Sequence, residues 1–512
     1  MDYDAIIIGC GNNGLVAAFY LAKAGLRVLG LERNSKVGGA CSTDELIPGF
    51  HFSTCAHSFV LFHPKILHDM RLDDYGLHVF NRDPERFQPF SSGKHLLFSK
   101  DLDRTLDSIG RISRHDAASY PEWNKFWADA GEMLAPYLLT PPPTFGEFAR
   151  AFEGTARADL FNKLVTGTAR GIVNEFFESD EMKATTVSTY DSGSTDAPGA
   201  LLYWAFHASV SKQLAAIGKV GYPRGGMGAV ATALRESAEA AGAEFRTNAG
   251  VTRTIIHEDQ AVGVELEDGS QISARVVLSN ADPRKTFLKL VGSDNLEPDF
   301  ITRVRRLHAD AGYMKLHCAA GSLPDWTALP GEGPLPHHYA QAAIGSGPDV
   351  LDDAWAAART GRLPDENPLA VVCPSLYDTD SAPDGKYAVS VWVEFVPIRP
   401  HGKSWDEFRD EATASIVSQI ERFAPNFGQT IERSYLHTPQ DIEAMAGITD
   451  GSMHHIDMTP DQMLALRPLR ECSAYRTPVA GLYLCGSGAH PGGGVSGMPG
   501  HNAAAAVIQD LQ

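Results

Sequence analysis

The stretch Asp4-Ala5-Ile6-Ile7-Ile8-Gly9-Cys10-Gly11-Asn12-Asn13-Gly14, with the residues that follow it as far as Glu32, decides the fold. The apolar run before Gly9 reads as a buried strand, and Leu15, Ala18, Leu21 and Ala22 recur at helical spacing until Gly25 ends the helix. Arg27-Val28-Leu29-Gly30-Leu31 is a second strand closing on Glu32, which completes a β-α-β unit. Gly9 permits a tight turn, Gly11 lets backbone approach a pyrophosphate, and Gly14 lets helix and strand pack closely. The helix N-terminus then faces the phosphates. Glu32 would accept hydrogen bonds from ribose hydroxyls, and its charge argues against a 2′-phosphate there.

Two further stretches say which dinucleotide is bound. Gly38-Gly39 lets a second backbone segment descend on the pyrophosphate, as an extended, permanently held FAD requires. No second β-α-β glycine fingerprint is left for NAD(P)H. Near the end, Gly481-Leu482-Tyr483-Leu484-Cys485-Gly486 reads as a strand, followed by the glycine-rich run from His490 to Gly497 and a helix over about 500–508. Such a loop suits close passage to a flat ring, with the positive helix N-terminus able to stabilise charge on a reduced flavin.

At 512 residues the chain is too long for one ordinary core, so two lobes are expected. Hydrophobic residues at 43% against 21% charged describe a globular protein rather than a disordered or membrane-spanning one. The net charge of -19 argues against nucleic acid and anionic lipid as partners and favours neutral or cationic substrates. Weak membrane association through an apolar patch and oligomerisation both stay open. The seven cysteines are scattered singly with no C-x-x-C pair, so they read as buried hydrophobes in a reducing cytosol. The first strand begins too early for a signal peptide, and cytoplasmic is the default.

Organisation along the chain predicts a discontinuous FAD-binding lobe over 1–72, 222–286 and 464–512, and a substrate lobe over 73–221 and 287–463. The middle stretch reads as aromatic-rich helices broken at 140–143 and 191–198. Tyr222-Pro223-Arg224-Gly225-Gly226-Met227 is a turn leading into a helix that ends at Gly242. Strands flank Asp268-Gly269, a hairpin signal because both turn positions favour positive φ. Strands near 314–318 and 388–395 and a helix over 405–422 complete the second mixed segment. The fold class is therefore α/β, a Rossmann-type lobe with an interleaved α+β lobe.

The glycine motifs, Glu32-Arg33, Tyr222 to Met227 and Ser279-Asn280-Ala281-Asp282-Pro283 together resemble the phytoene desaturase-like (carotenoid oxidoreductase-like) flavoproteins of the amine-oxidase-like superfamily. Thr438-Pro439-Gln440-Asp441-Ile442-Glu443, Asp461-Gln462-Met463 with Arg467-Pro468, and Tyr475-Arg476-Thr477-Pro478 look most like the branch named for pyridine nucleotide-disulphide oxidoreductase domain-containing protein 2. The resemblance covers nearly the whole chain. It implies FAD contacts from Gly9, Gly11, Asn12, Asn13, Gly14, Glu32, Arg33, Gly38, Gly39, Ala40 and Cys41. It implies others from Cys55-Ala56-His57 near the isoalloxazine, Val251 beside the adenine, Asn280, Gly486, Ser487, Val495, Ser496, Gly497 and Met498. Ala40 departs from the arginine that many relatives carry after the glycine doublet. Without a C-x-x-C pair, disulphide reduction fails on chemistry.

The expected activity is hydride removal from a C-C bond of a hydrophobic or cyclic small molecule, with electrons passing to oxygen, a quinone or another acceptor. His57, His490, His501 and Lys315 are the candidate catalytic residues. A C-N oxidase is the runner-up, although no aromatic cage is evident between Leu484 and His501. A redox-neutral isomerase and a flavin-stabilised interaction protein are further alternatives. His454-His455 with Asp457 and the pair His337-His338 invite a metal, but adjacent histidines on extended chain point opposite ways, and no metal is expected.

Overall fold

A computed structural model describes residues 1–189 and 193–512; residue 191, where the second break in the middle stretch is expected to begin, lies outside them. The strand Tyr3–Ile8 pairs in parallel with Val28–Leu31 on one side and Gln271–Ser279 on the other. The helix Asn12–Lys23 joins the first two, and its inner face is buried from Asn12 to Ala22. These strands are central to a seven-stranded sheet that Glu244–Arg246, Val251–His257, Gln260–Leu266 and Leu482–Leu484 complete. One sheet thus gathers chain from both ends and the middle of the sequence.

A second seven-stranded sheet runs in the order Ile431–His437, Gly312–Ala320, Tyr387–Val396, Leu369–Val372, Gln341–Ile344, Arg86–Pro89, His95–Phe98. Gly312–Ala320 is buried at every position because strands flank both its edges. The helices between 102 and 216 share one apolar cluster with the first sheet, while the second sheet has its own. The hairpin Thr43–Ile47 with Phe50–Ser53 packs Ile47, Phe50 and Phe52 on Ala319 and Ala388 of the second sheet.

The structure corrects three local expectations. The middle stretch is not purely helical: Val79–Asn81, Arg86–Pro89 and His95–Phe98 are strands whose partners lie more than a hundred residues away or across a short turn, beyond the reach of local periodicity. In the hairpin, Gly269 alone takes positive φ (+83°), because Ser270 and Leu266 close a longer turn over Asp268. The C-terminal helix spans Met498–Leu511, beginning where Gly497 at φ +72° turns the chain into it.

Candidate active site

The first glycine loop is built as a cradle. Gly9 sits at φ +87°, and a Cβ on Gly14 would run into the Gly9 carbonyl. A Cβ on Gly11 would come 2.9 Å from Nδ2 of Asn280, whose amide donates to the Gly9 carbonyl at 3.1 Å. Gly38 and Gly39, at φ +127° and +57°, bring the second segment down onto the loop. There Gly38 N–H donates to the Cys10 carbonyl at 2.8 Å, and Gly38 bridges Gly11. Side chains are excluded where two backbone segments converge, which leaves room for phosphates.

Glu32 closes the second strand with a buried carboxylate. Its oxygens accept from Cys10 N–H and Asn34 N–H, both at 3.0 Å, which fixes their direction toward the cavity. Arg33 beside it donates to the carbonyls of Glu443, Ala444 and Met445, the negative C-terminal end of the helix Pro439–Ala446. Thr438 and Asp441 form a capping box at the other end of that helix. The Thr438 to Glu443 motif therefore closes the nucleotide end, placing Ile442 and Ala446 on the wall.

A cavity of about 700 Å³ begins here and runs without interruption toward the second sheet. Of the expected cofactor residues, Gly9, Gly11, Asn12, Asn13, Glu32, Arg33, Gly39, Ala40, Cys55, Ala56, His57, Val251, Asn280, Ser487 and Val495 line it. Gly14, Gly38, Cys41, Gly486, Ser496, Gly497 and Met498 stand behind that wall. Gly486 packs against the Asn280 carbonyl, and the Ser496 carbonyl accepts from His63 N–H. The fully buried Arg467 donates to carbonyls of His454, Ile456, Asp457, Gln462 and Ser487, fastening the segment 454–462 to the chain just ahead of the glycine-rich loop. Asn13 adds a bond to Ser487 Oγ at 3.3 Å.

The catalytic candidates separate in space. His57 lines this cavity and also a smaller one of about 270 Å³. Burial first, then the positive charges of Lys315 and Arg82, holds its imidazole well below the usual histidine range, while Gln341 hydrogen bonds to it. Lys315 lies behind His57 on the smaller cavity, with Nζ donating to the carbonyls of Ser53 and Cys55. Burial pushes its ammonium down to about 7. His490 and His501 are not among the residues lining the cavity. His490 Nε2 bonds the Tyr137 carbonyl at 2.8 Å, tying the glycine-rich loop to the helical region. His501 packs edge-on to Tyr20 and bonds Asn502.

The far wall comprises residues the sequence reading missed: Arg82, Arg86, Tyr203, Trp204, His207, Tyr313, Gln341, Trp392 and Glu394. Tyr313 and Trp392 rings lie 5.1 Å apart, so aromatic walls exist, assembled from the second sheet rather than from 484–501. The available signal was alternation. Tyr313, Lys315 and His317 share one face of a buried strand, and Lys315 and His317 pair with Trp392 and Ser390 on the next. The seven cysteines are all free and buried. His337 and His338 lie side by side, rings 4.1 Å apart, because 336–339 is helical rather than extended. Both ring nitrogens of His338 are occupied, by Leu335 N–H and the Pro324 carbonyl.

The cavity fits an extended dinucleotide: a glycine cradle that side chains would fill, a buried acid at one end, and space beyond the glycine-rich loop. A family model described as flavin containing amine oxidoreductase matches residues 14–508. The chain is 33% identical to pyridine nucleotide-disulfide oxidoreductase domain-containing protein 2 of Rattus norvegicus, over 100% of this chain and 94% of that protein. It is 26% identical to the carotenoid 3,4-desaturase of Haloarcula japonica, over 99% and 98%. A putrescine oxidase variant superposes with a TM-score of 0.62 at 16% identity, covering 99% of this chain and 98% of that one, which shows a common fold. The chain belongs to the flavin-containing amine oxidoreductase family and is an FAD-dependent oxidoreductase.

Proposed function

We propose that this protein is a dehydrogenase that desaturates a C-C bond of a hydrophobic or cyclic small molecule. The observation that carries the reading is the continuity of the cavity: it passes from the glycine cradle and Glu32 into an enclosure walled by Tyr203, Trp204, Tyr313, Leu351, Leu369 and Trp392. Residues 9–39, 280, 487 and 495 would hold FAD, which when bound accepts a hydride and passes electrons on to oxygen, a quinone or another acceptor. The aromatic and aliphatic walls orient the substrate and exclude water. His57, kept neutral, presents a ring nitrogen without adding charge beside the apolar substrate. Lys315 stands behind it on the smaller cavity with Nζ held by the Ser53 and Cys55 carbonyls, so the group facing the substrate that can take the proton left after hydride removal is His57. Buried, unpaired cysteines fit a reducing compartment such as the cytoplasm.

Anaerobic mixing with a panel of carotenoid-like, terpenoid and cyclic ketone compounds tests this reading. At least one is expected to bleach the flavin; bleaching by amines alone, with peroxide released in air, would replace it with C-N oxidation. That second reading draws on the adjacent Tyr313 and Trp392 rings.

A further inference from the structure

Arg82 is a half-buried guanidinium on the cavity wall, immediately after the strand Val79–Asn81. Its Nη1 donates to two neutral oxygens, Tyr222 Oη at 3.3 Å and Gln341 Oε1 at 3.2 Å, and its plane lies over the Tyr222 ring at 5.6 Å. Its Nε is buried without a partner. Among the described residues no carboxylate comes within ion-pair distance of it, whereas Arg170, Arg253, Arg409 and Arg476 of this strongly acidic chain each have one. Glu394 shares the cavity wall with it. Lys315 stands nearby as a second cation, since both it and Arg82 act on His57. A guanidinium stays charged at any physiological pH, and one withdrawn from water calls for an anion. Here the open side of that charge is the cavity.

We propose that Arg82 receives a carboxylate of the substrate, so that the molecule oxidised is an apolar or cyclic acid rather than a hydrocarbon or an amine. This rests on the cavity being the site of C-C dehydrogenation. Tyr222 and Gln341 hold Nη1 and protein covers Nε, which leaves Nη2 to donate to a carboxylate oxygen of the ligand. An ammonium substrate meets like charge at the same place. The acidity of the whole chain is a poor guide to its substrate, because Arg82 and Arg86 put positive charge on the far wall of the cavity.

Perturbation of the flavin spectrum of the purified holoprotein reads binding directly. The probes are cyclohexanecarboxylate, cyclohexanemethanol and cyclohexylamine, with decanoate, decanol and decylamine as a longer set. The acids are expected to bind at least about tenfold tighter than the matched alcohols, with the amines weakest. Arg82→Met should abolish the margin between acid and alcohol while leaving alcohol affinity unchanged, and Arg82→Lys should restore part of it. Flavin content and melting temperature check that each variant is folded. Equal binding of acid and alcohol by the wild type, which needs no variant, overturns the proposal. So does failure of every acid to bind, or an equal loss of both ligands in Arg82→Met. Acids that bind through Arg82 while neither they nor any other probe bleaches the flavin would leave the anion site standing and remove the dehydrogenase reading. Bleaching by uncharged probes with acids excluded would do the reverse.

Discussion

The two ends of the one cavity are built by different means. At the glycine end, backbone does the work: Gly9, Gly11, Gly38 and Gly39 are close together in sequence, and their value lies in what they lack. At the far end, side chains do it, and Arg82, Trp204, Tyr313, Gln341 and Trp392 come from segments scattered over some three hundred residues. A dinucleotide presents the same phosphates and ribose to every protein that binds it, so contiguous turns can be specialised for it. A substrate enclosure has only to be the right shape and polarity, which any set of strands brought together by the second sheet can supply.

That contrast predicts that the ends fail separately. Gly11→Leu places a side chain where backbone must approach phosphate, and FAD affinity should fall by about a hundredfold or more, read as flavin per chain in the purified variant. Trp392→Ala should leave flavin per chain unchanged while slowing anaerobic bleaching by an effective substrate about ten- to a hundredfold. If Trp392→Ala lost its flavin instead, the division between the ends would be false.

Lys315 lies behind His57 on the smaller cavity, and its titration gives a smaller effect with a definite sign. Its folded value of about 7 lies below the usual lysine value of about 10.4, so between these the unfolded chain binds more protons than the folded one. Stability contributed at this position therefore rises with pH. Wild type should gain about 2 kcal/mol relative to Lys315→Met between roughly pH 7 and pH 9, measured by denaturant unfolding at each pH. No change in the difference would mean that the ammonium is not desolvated. Smallest is Glu32→Gln, which keeps an acceptor for Cys10 or Asn34 N–H and loses the charge. FAD binding should weaken by about 1 kcal/mol in a fluorescence titration, without loss of fold.

What could be read from the sequence follows the same division. Glu32 and the three glycine stretches are legible because their spacing is local and their chemistry is fixed. The parallel sheet that unites 3–8, 271–279 and 482–484 follows from them, since each stretch needs a strand to present it. The strand Arg86–Pro89 was hidden because its parallel partner is Gln341–Ile344, a pairing no local pattern records. His490 and His501 looked like ring contacts from their position around the glycine loop. Only the packing of Tyr137 and Tyr20 beside them shows where each side chain is spent. Arg33 resembled a cofactor contact, and it also holds a helix end four hundred residues away.

The central claim is that the glycine cradle and the aromatic enclosure are two parts of one flavin site. An anaerobic absorption titration of the purified protein tests it most directly. The account predicts the two visible bands of an oxidised flavin at one FAD per chain, bleached by an apolar or cyclic compound in wild type and more slowly in Trp392→Ala. A colourless protein that takes up no FAD on reconstitution, or a flavin whose bleaching is indifferent to Trp392, would contradict it.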